Sequence, residues 1–218
     1  MNKSLSSTVI RLAIALGISI SLGVVCYWLS FYVFNNVPLL GSRTFIAIGA
    51  LLNLALCWQL RLEFRNLWSW IKYFALFMGW SGSIIVCIGA TFDFLNTGVQ
   101  RDLINWFPLS QTQSIIAVGY GFIGIWLLLL NFHSGLSSTG LTSLTWLGII
   151  SGIFMAMGLF AIPRVFIPYV SLYHQFVPEL GELVSSSGWM ILYPIWSICF
   201  GSVATADQHG DQVLRSLV

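Results

Sequence analysis

The chain has 218 residues, 57% of them hydrophobic and only 7% charged, with a formal net charge of +2. A soluble domain carries about 25% charged residues, so nine basic and seven acidic side chains cannot cover a water-soluble globule of this size. The balance lacks the strong positive charge of a nucleic-acid binder, and a mean hydropathy of +0.87 points to a polytopic integral membrane protein.

A membrane-crossing helix needs about 20 mostly apolar residues in series. Six stretches meet that demand, at about 9–34, 44–60, 73–92, 115–132, 144–162 and 188–206, and the loops between them are too short to hold a soluble domain. The expected fold is all-α, a single-domain bundle of six transmembrane helices spanning residues 1–218.

Lys3 and Arg11 precede an apolar run from Leu12 to Phe34. A cleavable secretory segment has an apolar core of about 7–15 residues and a small-residue cleavage site. This run is longer and no A-x-A follows it, so it reads as a retained first span. Gly17 and Ser21 put small side chains on one of its faces, which lets helix backbones approach closely. In the second span, Asn53 sits mid-membrane. Such an amide is read as interhelical glue, worth roughly 0.6 kcal/mol.

The third span carries Gly82 and Gly89 as a packing face and ends at Asp93. If this helix continues outward, Asp93, Asn96, Thr97 and Gln100 share one face, at the i, i+3, i+4 and i+7 spacing of a helix. The loop "RDLINWF" (101–107) then brings Leu103, Ile104, Trp106 and Phe107 to the membrane interface.

The fourth span contains "GYGFIG" (119–124), which spells G-x-G-x-x-G. A dinucleotide-binding turn needs a preceding strand, a turn, a helix, and an acidic residue about 20 positions on. Here the motif lies inside the unbroken apolar run "SIIAVGYGFIGIWLLLLNF", and the next acidic residue is Glu179. No dinucleotide is expected. Gly121 and Gly124 instead mark a close contact face, as do Gly148, Gly152 and Ala156 in the fifth span.

Beyond the fifth span lies Arg164, and after Pro168 comes "YVSLYHQFV". Tyr169, Leu172, Tyr173, Phe176 and Val177 recur with the helical period, with Pro168 suited to start a helix and Pro178 to end it. This predicts a short amphipathic interfacial helix in the last outer loop, separate from the sixth span. The tail at 207–218 reads as short, mobile and cytoplasmic.

Basic residues set the orientation. With the N-terminus cytoplasmic, Lys3, Arg11, Arg61, Arg65, Lys72 and Arg215 fall inside, and Arg43, Arg101 and Arg164 outside. Both termini are therefore placed in the cytoplasm. Trp28, Trp58, Trp68, Trp70, Trp106, Trp146 and Trp189 fall near predicted span ends as interface anchors, while Trp80, Trp126 and Trp196 lie deeper and pack between helices.

Several chemistries find no support. Cys26, Cys57, Cys87 and Cys199 lie in apolar stretches without C-x-x-C spacing, so neither a disulfide framework nor a zinc site is expected. His133, His174 and His209 lie in loops or the tail, leaving no histidine pair within the spans to hold a haem. Ser81 and Ser83 are many turns from His133 in depth, whereas a Ser–His pair must meet within about 2.6–3.2 Å. No cofactor and no metal are expected.

Two functional readings remain. One is a structural, assembly or regulatory membrane subunit, in contact with the lipid bilayer and with another membrane protein or a second copy of itself. The alternative is a small transporter or lipid-modifying enzyme using an extracytoplasmic polar site of Asp93, Asn96, Gln100, Arg164 and His174.

Overall fold

The computed structural model describes residues 6–33, 37–61, 69–98, 109–133, 142–166 and 172–203. Helix α1 is Ser7–Leu29, α2 is Val37–Leu60, α3 is Ser69–Gly98 and α4 is Leu109–His133. Helix α5, Thr142–Ala156, tightens into a 3-10 turn at Met157–Ala161 and continues as the short α6, Ile162–Phe166. Helix α7, Leu172–Ser187, passes through a π turn at Gly188–Leu192 into α8, residues 193–203.

Six helical segments are long and apolar enough to cross a membrane: Ser7–Leu29, Val37–Leu60, Trp70–Leu95, Gln111–Phe132, Thr142–Phe166 and Phe176–Val203. No strand occurs among the described residues. The chain is thus an all-α six-helix membrane bundle. Ser6 starts α1 by accepting a hydrogen bond from the Thr8 N–H at 3.3 Å, which satisfies one of the helix's first donors.

Several helices run past the bounds expected, and two of these differences have a clear local cause. Helix α2 begins at Val37 rather than near 44. Pro38 lies in its first turn, where a missing N–H removes no intrahelical bond. The earlier start takes Arg43 out of the expected loop and into the helix.

Helix α7 runs through Pro178 instead of ending there, and joins the sixth span without a break. Membrane helices tolerate such a proline where neighbours re-satisfy the freed carbonyl, and Pro178 is buried. The stripe at Phe176 and Val177 continues through Leu180 and Leu183, all exposed. Gly181, Ser185 and Gly188 face inward. The amphipathic period is that of a membrane helix, apolar toward lipid and small or polar toward its neighbours. Residues 169–171 of the expected interfacial helix, the loop at 101–107 and the tail at 207–218 lie outside the described residues. With the sixth span extended, Trp189 falls mid-helix and is buried, stacked on Tyr120 at 4.7 Å between ring centroids.

Successive spans pack antiparallel. Residues 43, 53 and 57 of α2 meet 93, 83 and 79 of α3. The bundle therefore has a near end, where α1 begins, and a far end where α1 finishes and α2 begins. Helix α8 closes against α1, where the Ser197 hydroxyl donates to the Ala13 carbonyl at 2.6 Å. Helix α4 is the most enclosed span, and Tyr120, Ile123, Trp126, Leu127 and Leu130 put it in the main core.

Each small-residue face meets a helix of the same chain. A Cβ at Gly17 would stand 2.6 Å from Ile198 Cγ1 and 2.9 Å from the Pro194 carbonyl. Gly82 approaches Gly119 and Ile123, Gly121 approaches Leu159, and Gly148 approaches Asn131. Gly124 lies against Gly152 and Ala156. Ser21 turns its hydroxyl back to its own helix, donating to the Gly17 carbonyl at 2.8 Å.

Candidate functional site

Three groups of polar side chains link helices inside the bundle through side-chain contacts, two at the far end and one in mid-membrane. The first far-end knot forms around Asp93. Its carboxylate is wholly buried and lies 2.6 Å from Nε of Arg43, itself nearly buried. The Thr112 hydroxyl, from the first turns of α4, donates to the same carboxylate. The Arg43 guanidinium also sits 5.9 Å from the centre of the Tyr27 ring in α1. Four helices meet at one ion pair. A charge withdrawn from water is tolerated only with such a partner and further hydrogen bonds.

The second knot forms around Glu182 of α7. The Ser114 hydroxyl of α4 donates to one carboxylate oxygen, and Arg164 of α6 approaches the other at 3.2 Å. Glu179, one turn earlier, lies 3.9 Å from the same guanidinium. This knot is more open: the Arg164 side chain is 25% exposed and Glu182 17%.

The third lies deep. The Tyr193 hydroxyl donates to Oδ1 of Asn53 at 2.5 Å, and Asn53 Nδ2 donates to Ser83 Oγ at 2.8 Å. Ser83 in turn donates to the Gly79 carbonyl at 2.7 Å. All three side chains are buried, and the relay ties α8 to α2 and α3. In hydrocarbon, such bonds act between helices as the amide of Asn53 suggests.

The residues grouped by sequence position thus distribute over two ion pairs. Asp93 is held by Arg43 and Thr112, and Arg164 by Glu182 and Glu179. Helix α4 stands between the pairs. Thr112 and Ser114 are two positions apart on it, a spacing that points side chains to different faces. Asn96 belongs to α3 and His174 to α7 by backbone, but their side chains, like all of Gln100, lie outside what the structure describes.

Arg43, Thr112, Ser114 and Glu182 were not among the sequence candidates. Arg43 and the "QTQS" run at 111–114 read as loop by sequence because they interrupt the apolar pattern. Pro38 ahead of Arg43 was the available signal of an earlier helix start. No group of three His, Cys, Asp or Glu positioned for a metal ion occurs among the described residues. "GYGFIG" lies inside unbroken helix, with Gly119 packed on α3 and Gly121 on the 3-10 turn. Comparison with protein-family models, curated proteins and solved structures finds no match to this chain.

Proposed function

We propose that this integral membrane protein is a structural, assembly or regulatory subunit, acting through helix–helix contacts rather than through chemistry on a bound substrate. One observation carries this reading. The carboxylates and arginines at the far end of the bundle, and Asn53 in mid-membrane, are each engaged across helices: Arg43 to Asp93, Arg164 to Glu182, Asn53 to Ser83 and Tyr193. That is the pattern of cross-bracing. The glycine faces are taken up within the chain, so a partner would meet the lipid-facing ridges. Both termini are placed in the cytoplasm by the distribution of basic residues.

Native mass spectrometry of the protein, gently extracted from its own membrane, tests the reading. A stoichiometric second protein is the expected result. A lone chain carrying a small polar molecule would overturn it.

A second reading rests on the partial exposure of Glu182 and Arg164. A carboxylate and a guanidinium at a membrane interface suit a polar headgroup or a transported solute, as a small transporter or lipid-modifying enzyme would need. An intramembrane ionisable group invites such a reading by default. It requires that Glu182→Gln abolish activity while leaving the protein level unchanged.

A further inference from the structure

The charges of this chain are divided between its two ends. Among the described residues the carboxylates Asp93, Glu179 and Glu182 lie at the far end, where they take up Arg43 and Arg164. The near end carries Arg11 in α1, Arg61 at the close of α2 and Lys72 in the first turn of α3. Among the described residues no carboxylate pairs with any of these three. Arg61 differs from the other two in being held in place.

The Arg61 backbone N–H donates to the Cys57 carbonyl at 3.2 Å, so the helical turn continues through it. Residues three apart on a helix are neighbours, and helical side chains lean toward the helix N-terminus. For α2 that direction runs back into the membrane. The Arg61 guanidinium accordingly lies over the Trp58 ring, 3.5 Å from its centre, beside the last turn of the span Val37–Leu60. Trp58 stacks in turn on Trp80 of α3, with 5.3 Å between ring centroids and 21° between planes. The guanidinium thus rests on a platform of two rings that bridges α2 and α3. Trp58 is exposed, as are Tyr73 and Phe77 of α3, which puts the platform on the lipid-facing side.

The chemistry of the group names its ligand. Stacking on an indole uses the charge of a guanidinium but none of its N–H donors. Those donors meet no acceptor among the described residues. They form a planar fork that matches two oxygens of a phosphate. A guanidinium on the lipid-facing side at the edge of the hydrocarbon meets lipid headgroups, and tryptophan rings favour the same level. An arginine without a counter-charge favours a headgroup of net negative charge over a zwitterion, whose own ammonium offsets its phosphate.

We propose that Arg61, held by Trp58 and Trp80, binds the phosphate of an anionic lipid headgroup in the near leaflet, with Lys72 adding positive charge at the same end. The headgroup supplies at the near end what Asp93 supplies at the far end: an anion that fixes an arginine of α2 beside α3. The inference is independent of the subunit reading, since it concerns a lipid and not a protein partner.

The test is native mass spectrometry of the full chain in detergent, titrated with phosphatidylglycerol or with phosphatidylcholine of the same acyl chains. The first phosphatidylglycerol is expected to bind about fivefold more tightly, the effect of roughly one basic residue at an anionic surface. Arg61→Gln should remove most of that preference. Arg11→Gln takes the same charge from an exposed position at the same end and should leave the preference in place. Trp58→Leu keeps the charge but removes the platform, and should lower the preference about twofold. Should Arg61→Gln fail to fold, Trp58→Leu decides the matter, and an unchanged preference in it would overturn the site. Equal losses in Arg11→Gln and Arg61→Gln would overturn it in favour of diffuse charge. A preference that survives Arg61→Gln would also overturn it, leaving the guanidinium to a carboxylate of the chain such as Glu63. Excess inorganic phosphate should not displace the lipid; displacement would assign the site to the free anion instead.

Discussion

The two ion pairs at the far end are built from the same parts and placed in different surroundings. Each joins an arginine, a carboxylate and a hydroxyl of α4: Arg43, Asp93 and Thr112 in one, Arg164, Glu182 and Ser114 in the other. The first is shut away, with Asp93 fully buried, whereas Arg164 and Glu182 keep contact with the surface. Removing one partner of a buried pair leaves a charge with no water to turn to. At a partly exposed pair, solvent and salt take over part of the same role. Two similar triads should therefore fail in very different ways.

The sharpest separation comes from cutting each pair. Asp93→Leu leaves Arg43 charged and buried, and is expected to lower stability by about 3–5 kcal/mol. Adding Arg43→Met should restore most of that loss, because an apolar pair of similar volume is often neutral or better. Thermal unfolding of the two variants in the same detergent reads both effects. A double variant as unstable as the single one would mean that the site is more than a brace.

Packing gives the next largest effect. A Cβ at Gly124 would stand 2.6 Å from the Ala156 nitrogen and 2.7 Å from the Gly152 carbonyl. Both are backbone atoms and cannot swing aside. Gly124→Ala should cost about 1–3 kcal/mol, and unchanged unfolding would show that α4 and α5 do not pack this closely.

At the open knot, Glu182→Gln is expected to cost no more than about 1 kcal/mol, discounted for exposure, and less as salt rises. A loss as large as that at Asp93 would remove the contrast between the pairs. The smallest effect belongs to mid-membrane. Tyr193→Phe deletes one interhelical hydrogen bond, an average of about 0.6 kcal/mol, measurable in a double-mutant cycle with Asn53→Leu. A much larger coupling would make the relay a principal support of α8.

The contrast between the pairs was only partly legible in the sequence. Asp93 and Arg164 stood out because a charge beside an apolar run is conspicuous. Their partners did not. Arg43 and Asp93 are fifty positions apart, and no local rule joins them. Thr112 and Ser114 looked like the end of a loop, and their opposite facing appears only once α4 is known to begin before them. The apolar period around Phe176 was correctly helical, but it could not say whether the stripe lay on the interface or turned outward from a continuous sixth span. Trp189 changed from an expected interface anchor to a core residue for the same reason.

What the sequence determined by itself is the number and class of the elements. Crossing a hydrocarbon layer demands about 20 apolar residues in series with every backbone group bonded internally. That is a property of a line of residues, so six helices could be counted without knowing how they meet. Tertiary structure decided which helices meet and therefore which charges pair. It decided that the glycine faces turn inward. These are contacts between positions far apart in the chain. Their energies depend on distances and burial that no single stretch of sequence contains.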